Sequence, residues 1–201
     1  MFISHMAGLF THPDKEWAQI AEDRHSLPGV VAGHVMLLAL IPALAFFYGV
    51  TEVGWTLPSG DRVFRMTTNS TVIIVGLFYW AMVVGTALLG YGVHWMARTY
   101  GSDATLNEAM ALAAYTNTPL FLAGILGLKP LLWLDLVAGT VAACYSVYLL
   151  YLGIPHLMRV PKERGYLFAS AALAVALVMF IGLMGATVVL WELGAMPEFT
   201  D

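Results

Sequence analysis

The chain has 201 residues, 60% of them hydrophobic and 11% charged, with a formal net charge of −4. A soluble domain runs nearer half apolar and a quarter charged, so this composition excludes a soluble globular fold and makes the bilayer the solvent for much of the surface. The small, scattered charge excludes nucleic acid as a partner.

The first element in chain order is a short helix over residues 13–23. Thr11-His12-Pro13-Asp14 supplies a capping residue, a proline for the first turn and an acid. Trp17, Ile20 and Ala21 follow at helical spacing, with Lys15, Glu16 and Glu22 elsewhere on the wheel. This pattern predicts an amphipathic helix lying on the cytoplasmic membrane surface, with Trp17 and Ile20 touching lipid or a partner. The alternative is a helix packed under the bundle as a plug. Residues 1–26 hold acids, histidines and a proline where a signal peptide needs an apolar run. Pro28-Gly29 then breaks the chain, which divides it into a cytoplasmic segment, 1–29, and a transmembrane domain, 30–201.

Five apolar runs follow, at 30–50, 71–95, 109–128, 131–154 and 166–193. At 1.5 Å per residue each covers the ~30 Å hydrocarbon core. The expected fold is therefore all-α, a polytopic membrane bundle of five transmembrane helices. Between the first two runs, residues 55–69 contain Pro58-Ser59-Gly60-Asp61 and form a turn-rich loop over the outer face. In the second run Thr86, Gly90 and His94 share one helical face.

Tyr115-Thr116-Asn117-Thr118-Pro119 interrupts the third run. Proline removes one helical hydrogen bond and clashes with the Tyr115 carbonyl. The break is either an open coordination site or a kink whose freed backbone is satisfied by Thr116, Asn117 and Thr118, and satisfied kinks are the commoner case. Lys129-Pro130 separates the third and fourth runs and predicts a tight helical hairpin.

Asp135 lies one turn inside the fourth run, with Gly139, Ala142, Ala143 and Ser146 on its face, and Gly139 and Ala142 are expected to pack a neighbouring helix there. It is either an ion or proton site, or a carboxylate that reaches the outer interface; its shallow depth favours the second. The one cysteine, Cys144, sits in the same apolar run and acts as a small hydrophobe. In the fifth run Gly182 and Ala186 place small residues at i and i+4, a packing face for another helix or a second copy.

The basic residues set the orientation. Lys15, Arg24, Arg98, Arg159, Lys162 and Arg164 fall on one side; Arg62, Arg65 and Lys129 fall on the other, with the acidic tail 192–201. The bias predicts a cytoplasmic N-terminus and an external C-terminus. Trp17 and Trp95 then mark the inner interface, and Trp55, Trp133 and Trp191 the outer one. His5, His12, His25, His34, His94 and His156 all map to the cytoplasmic side. Clustered imidazoles bind metal or sense pH, but no i, i+4 pair and no cysteine ligand accompanies them, so no metal site is assigned. No P-loop, G-x-S-x-G or H-E-x-x-H occurs, so no enzyme and no cofactor is expected.

Three stretches carry a family resemblance: Gly8-Leu-Phe-Thr-His-Pro13 with Trp17, Ala114-Tyr-Thr-Asn-Thr-Pro-Leu-Phe-Leu122, and Tyr148-Leu-Leu-Tyr-Leu-Gly-Ile-Pro155. They resemble the bacterial inner-membrane branch of the Yip (Ypt-interacting protein) domain family. The resemblance implies five membrane helices, a cytoplasmic N-terminus and, from the eukaryotic members, association with one another and with prenylated Rab-type GTPases. Those members have a longer N-terminal region with an Asp-Leu-Tyr-Gly-Pro-like motif. This chain has about thirty residues before its first span and lacks the motif, which argues against a Rab-type partner. The reading is a non-enzymatic membrane organiser or adaptor, acting through lipid contact and association with itself or another membrane protein. The alternative is a small ion, metal or solute permease or channel formed by an oligomer, with Asp135, Asn117, Pro119, Thr86 and His94 along its path.

Overall fold

The computed structural model describes residues 2–22, 26–56 and 63–200. Residue 23, Arg24, His25, the 58–61 turn and Arg62 lie outside the described residues. Two short helices, α1 (Phe2–Thr11) and α2 (Pro13–Glu22), come first. Five helices long and apolar enough to cross a bilayer follow: α3 (Val31–Val53), α4 (Thr68–Tyr100), α5 (Leu106–Leu128), α6 (Leu132–Leu157) and α7 (Lys162–Ala195). Each overlaps one expected span, and the chain is a multi-pass integral membrane protein. The α1–α2 pair and the α4–α5 and α6–α7 connections gather at one end of the bundle, here the hairpin end. The α3–α4 and α5–α6 connections and the C-terminal tail gather at the tail end.

The helix boundaries follow from local chemistry. Gly101 stops α4 in a left-handed conformation at φ 77°. Thr105 opens α5 with a reciprocal capping box: its hydroxyl accepts from the Glu108 peptide N–H, and its own N–H donates to the Glu108 carboxylate at 2.7 Å. Glu108 also pairs with Arg159 from the α6–α7 connection. Lys129 is extended and Pro130 intervenes before α6, as the Lys-Pro hairpin predicts.

α5 is the central span. Ala109, Ala111, Leu112, Ala113, Ala114 and Tyr115 are all buried in one core cluster. Alanines let neighbouring backbones approach closely, the main source of packing between helices in lipid. Glycines do the same where α3 meets α5. A Cβ on Gly49 would lie 1.8 Å from the Gly127 carbonyl oxygen, and one on Gly124 would lie 2.3 Å from Pro42 Cβ. Pro42 inside α3 is therefore tolerated against a glycine.

A three-stranded antiparallel sheet covers the tail end, in the order β1 (Trp55–Thr56), β2 (Val63–Met66), β3 (Phe199–Thr200). Trp55 pairs with Phe64, and Arg65 with Thr200. The C-terminal tail is thereby tied to the α3–α4 connection, which the sequence reading left as loop and free tail. α7 is the least buried span, since only Gly165, Phe168, Ala169 and Ala172 near its start are buried.

Gly49→Ala should destabilise the bundle by about 1–3 kcal/mol through overpacking. Gly76→Ala, where nothing lies within 4 Å of the new Cβ, should be neutral or mildly stabilising. Thermal unfolding of the two variants in detergent checks this.

Candidate functional site

The α1–α2 hairpin brings ionisable side chains into the bundle. Its turn is closed by the His12 N–H donating to Gly8 O at 2.7 Å and the Glu16 N–H donating to His12 O at 3.0 Å. Pro13 opens α2, where a missing N–H costs nothing. Trp17 and Ile20, one turn apart, are fully buried, and so is Leu9 of α1. This corrects the expectation that Trp17 and Ile20 touch lipid or a partner at the membrane surface. The apolar stripe faces a protein socket, and the plug arrangement holds. Although residue 29 precedes the first span, Leu9, Trp17 and Ile20 share one core with α3–α7.

Two glycines make the socket. A Cβ on Gly153 of α6 would lie 2.8 Å from Trp17 Cε2 and 2.6 Å from Leu112 Cδ1. A Cβ on Gly8 would lie 1.7 Å from Glu16 Oε2. Gly8 thus leaves room for a carboxylate against α1, and Gly153 leaves room for an indole against α6.

Around the socket sits a polar and aromatic centre. His5 Nδ1 and Glu16 Oε1 are 2.5 Å apart, both side chains nearly buried. His34 Nε2 lies 2.9 Å from Thr118 Oγ1, and His34 sits in a π-turn, Val31–Val35, at the start of α3. Tyr115 of α5 is the hub. Its ring centroid is 4.6 Å from His34, 6.0 Å from His5 and 6.4 Å from Trp17, the last two edge-on. The Tyr145 hydroxyl donates to Leu9 O at 2.7 Å, and its ring stacks on Phe10 at 5.3 Å. At 1.5 Å rise per residue, Tyr115 lies about 14 Å from the Leu106 end of α5 and Tyr145 about 18 Å from the Leu157 end of α6. The hairpin is therefore inserted into the bundle rather than laid against it. His156 and Asp14, 3.1 Å apart, close the rim.

The sequence-expected polar residues are placed separately. Asn117 Nδ2 donates to Thr86 Oγ1 at 3.0 Å, and Thr86 donates in turn to Met82 O at 2.9 Å. The helix passes the kink with Asn117 N–H to Ala113 O and Phe121 N–H to Asn117 O, both 3.2 Å. Pro119 is buried within the Thr118–Ala123 segment. On the Thr86–Gly90–His94 face, a Cβ at Gly90 would meet Met110 Sδ at 2.6 Å, so that face is packed against α5. The His94 Nδ1 is sealed from solvent with no hydrogen-bond partner among the described residues. Asp135 is half-exposed in the first turn of α6, at the other end of the bundle from His94. Ala142 is buried, whereas an added Cβ at Gly139 or Gly182 meets nothing within 4 Å. Ala186 is exposed. Thr86 and Asn117 come together; Asp135 and His94 do not join them.

Sequence reasoning named His5 and His34 only among six histidines on one side, and it missed Glu16, Gly8 and Gly153 as parts of this centre. Glu16 reads as the polar side of a surface helix, and α1 carries no capping signal. A glycine in each of the two segments Gly8–Pro13 and Tyr148–Pro155 was the available clue. Among the described residues no three His, Cys, Asp or Glu side chains gather to hold a metal.

Comparison with known proteins adds the following. A family profile described as Yip1 domain matches residues 7–184. "Inner membrane protein YohC" of Escherichia coli strain K12 is 39% identical over 192 residues, which cover 96% of this chain and 98% of that protein. The protein of the same name from E. coli O6:H1 strain CFT073 gives the same figures. No solved structure matches the chain.

Glu16→Ala and His5→Leu should each destabilise the fold by roughly 1–3 kcal/mol, because each leaves a buried polar partner behind. The double variant should lose about 0.5 kcal/mol or more less than the sum of the two, as for any directly coupled pair. Unfolding titrations in detergent give the three values; strict additivity contradicts the pairing.

Proposed function

The chain belongs to the Yip1 domain family, and on that premise we propose that it is a non-enzymatic organiser of the inner membrane that works by self-association along α7. The observation that carries this reading is the outer half of α7. From Leu177 onward most of its large side chains are exposed, and Gly182 and Gly185 have nothing within 4 Å of an added Cβ. Val178, Gly182, Gly185 and Val189 share one helical face. Small residues flanked by β-branched ones are what two helices need for close approach in lipid. Gly49, Gly90, Gly124 and Gly153 of the other spans are packed internally, and the open Gly76 of α4 and Gly139 of α6 each stand without a second open glycine on the same helix.

The same reading places the hairpin end in the cytoplasm. Lys15, Arg98, Arg159, Lys162 and Arg164 lie there, against Arg65 and Lys129 at the tail end. With Trp17 and Ile20 buried, an adaptor role through the N-terminal helix would require the hairpin to leave its socket, so the partner surface is assigned to α7. A permeation path has less support, because Thr86 and Asn117 satisfy one another and Gly90 is packed against Met110.

In a Cys144→Ser background, Gly182→Cys and Gly185→Cys should each give disulfide-linked dimers on oxidation in native membranes. Val141→Cys, equally lipid-facing on α6, should give none. Gly182→Leu should shift a native mass spectrum from two copies towards one. Absence of crosslinks at both glycines, or equal crosslinking at Val141→Cys, contradicts the proposal.

A further inference from the structure

α7 is held at both ends and parts from α4 over its outer half. Near its start Phe168 is buried and stacks on Tyr100 at 4.7 Å. At its far end Gly194, φ 104°, turns the chain back towards α4. There the Ser70 hydroxyl donates to Met196 O at 3.0 Å and accepts from the Glu198 N–H at 3.1 Å, and the Thr67 N–H donates to Glu198 O at 2.8 Å. β3 adds its pairing to β2. Mid-span the helices touch at Gly85, where an added Cβ would lie 3.5 Å from Leu183 Cδ1. Between that contact and the tied tail lies a cleft of about 420 Å³, with α4 from Ile74 to Met82 as its floor and α7 from Phe180 to Trp191 as its wall.

We infer that this cleft holds one acyl chain of a bilayer phospholipid from the tail-end leaflet. The lining is apolar side chains throughout, apart from Thr187, whose hydroxyl is engaged with Leu183 O at 2.9 Å. Water has nothing to bond there, and an empty space would forfeit the contacts of every lining side chain. Its length fits a single leaflet: Phe180 to Leu190 spans about 15 Å of helix, half of the ~30 Å hydrocarbon core. An apolar cleft of that length admits a hydrocarbon chain, and the small-residue face assigned to a second copy lies elsewhere on α7. At the mouth Trp191 supplies an indole at the headgroup level, where that ring is favoured. Phe46 closes the inner side, 6.1 Å from Phe78 and 6.4 Å from Trp55. The self-association face is on the opposite side of α7, so the two assignments stand or fall separately.

The full chain is reconstituted in phosphatidylethanolamine–phosphatidylglycerol vesicles with a trace of phosphatidylcholine carrying a photoreactive diazirine midway along one acyl chain. After illumination, adducts are mapped by peptide mass spectrometry. Leu183, Met184 and Thr187 should gather roughly fivefold more adduct per residue than the lipid-facing Leu136, Val137 and Val141 of α6, which corresponds to a preference of about 1 kcal/mol for the cleft over bulk lipid. Filling the cleft with Ala81→Trp should abolish the enrichment, while Val141→Trp on the lipid-facing side of α6 should leave it intact. Equal labelling of the cleft residues and the α6 residues in the unmodified chain overturns the inference without recourse to any variant. Crosslinks from Leu183→Cys to a second copy would assign the cleft to a helix and overturn it as well.

Discussion

A carboxylate inside a membrane bundle must find its counterpart within the same chain, because hydrocarbon offers none. Glu16 meets that demand with His5, and the pairing fixes where the N-terminal hairpin can sit. Gly8 has to be small for the carboxylate to lie against α1, and Gly153 has to be small for the neighbouring indole of Trp17 to lie against α6. Tyr115 then stands where His5, Trp17 and His34 converge, which explains why α5 is the most enclosed of the spans. The same rule recurs along the bundle: His34 with Thr118, Asn117 with Thr86, and the Tyr79 hydroxyl donating to Met36 O. Polar side chains here act mainly as internal fasteners.

This arrangement leaves α7 as the least buried span. Its first turns are buried and its tail is tied back to Ser70, yet its middle contributes little to the core. One face looks into an apolar cleft and the opposite face carries Gly182 and Gly185. A helix in lipid gains nothing from burying leucine instead of leaving it in acyl chains, so association rests on close packing of small residues. On the proposed reading, lipid on one side and a second copy on the other would complete the contacts of this helix.

Much of the fold was legible in the sequence, because run length and hydropathy bear directly on membrane spans. The five spans, the Lys129-Pro130 hairpin and the satisfied kink at Pro119 all follow from local chemistry. The placement of α2 was not legible. Trp17 and Ile20 make the same stripe whether the apolar phase is lipid or protein, and helical periodicity cannot separate the two. Glu16 compounded the ambiguity, since its partner lies in a helix that no cap announced. The sheet was hidden for another reason: Arg65 pairs with Thr200, a partner more than a hundred residues away in sequence, and strands this short carry no alternation to read. Gly182 and Ala186 stood out by spacing alone, while the glycines that pack the single chain, Gly49, Gly124 and Gly153, follow no common spacing.

The central claim is that the N-terminal hairpin is an integral part of the bundle. Hydrogen–deuterium exchange of the full chain in lipid nanodiscs tests it most directly. If Glu16 and Trp17 sit in the socket, the amides of Trp17 and Ile20 exchange as slowly as those of residues 112–115 in α5. If those amides instead exchange as fast as Arg159 and Val160 in the α6–α7 connection, the hairpin lies free at the membrane surface and the account is wrong.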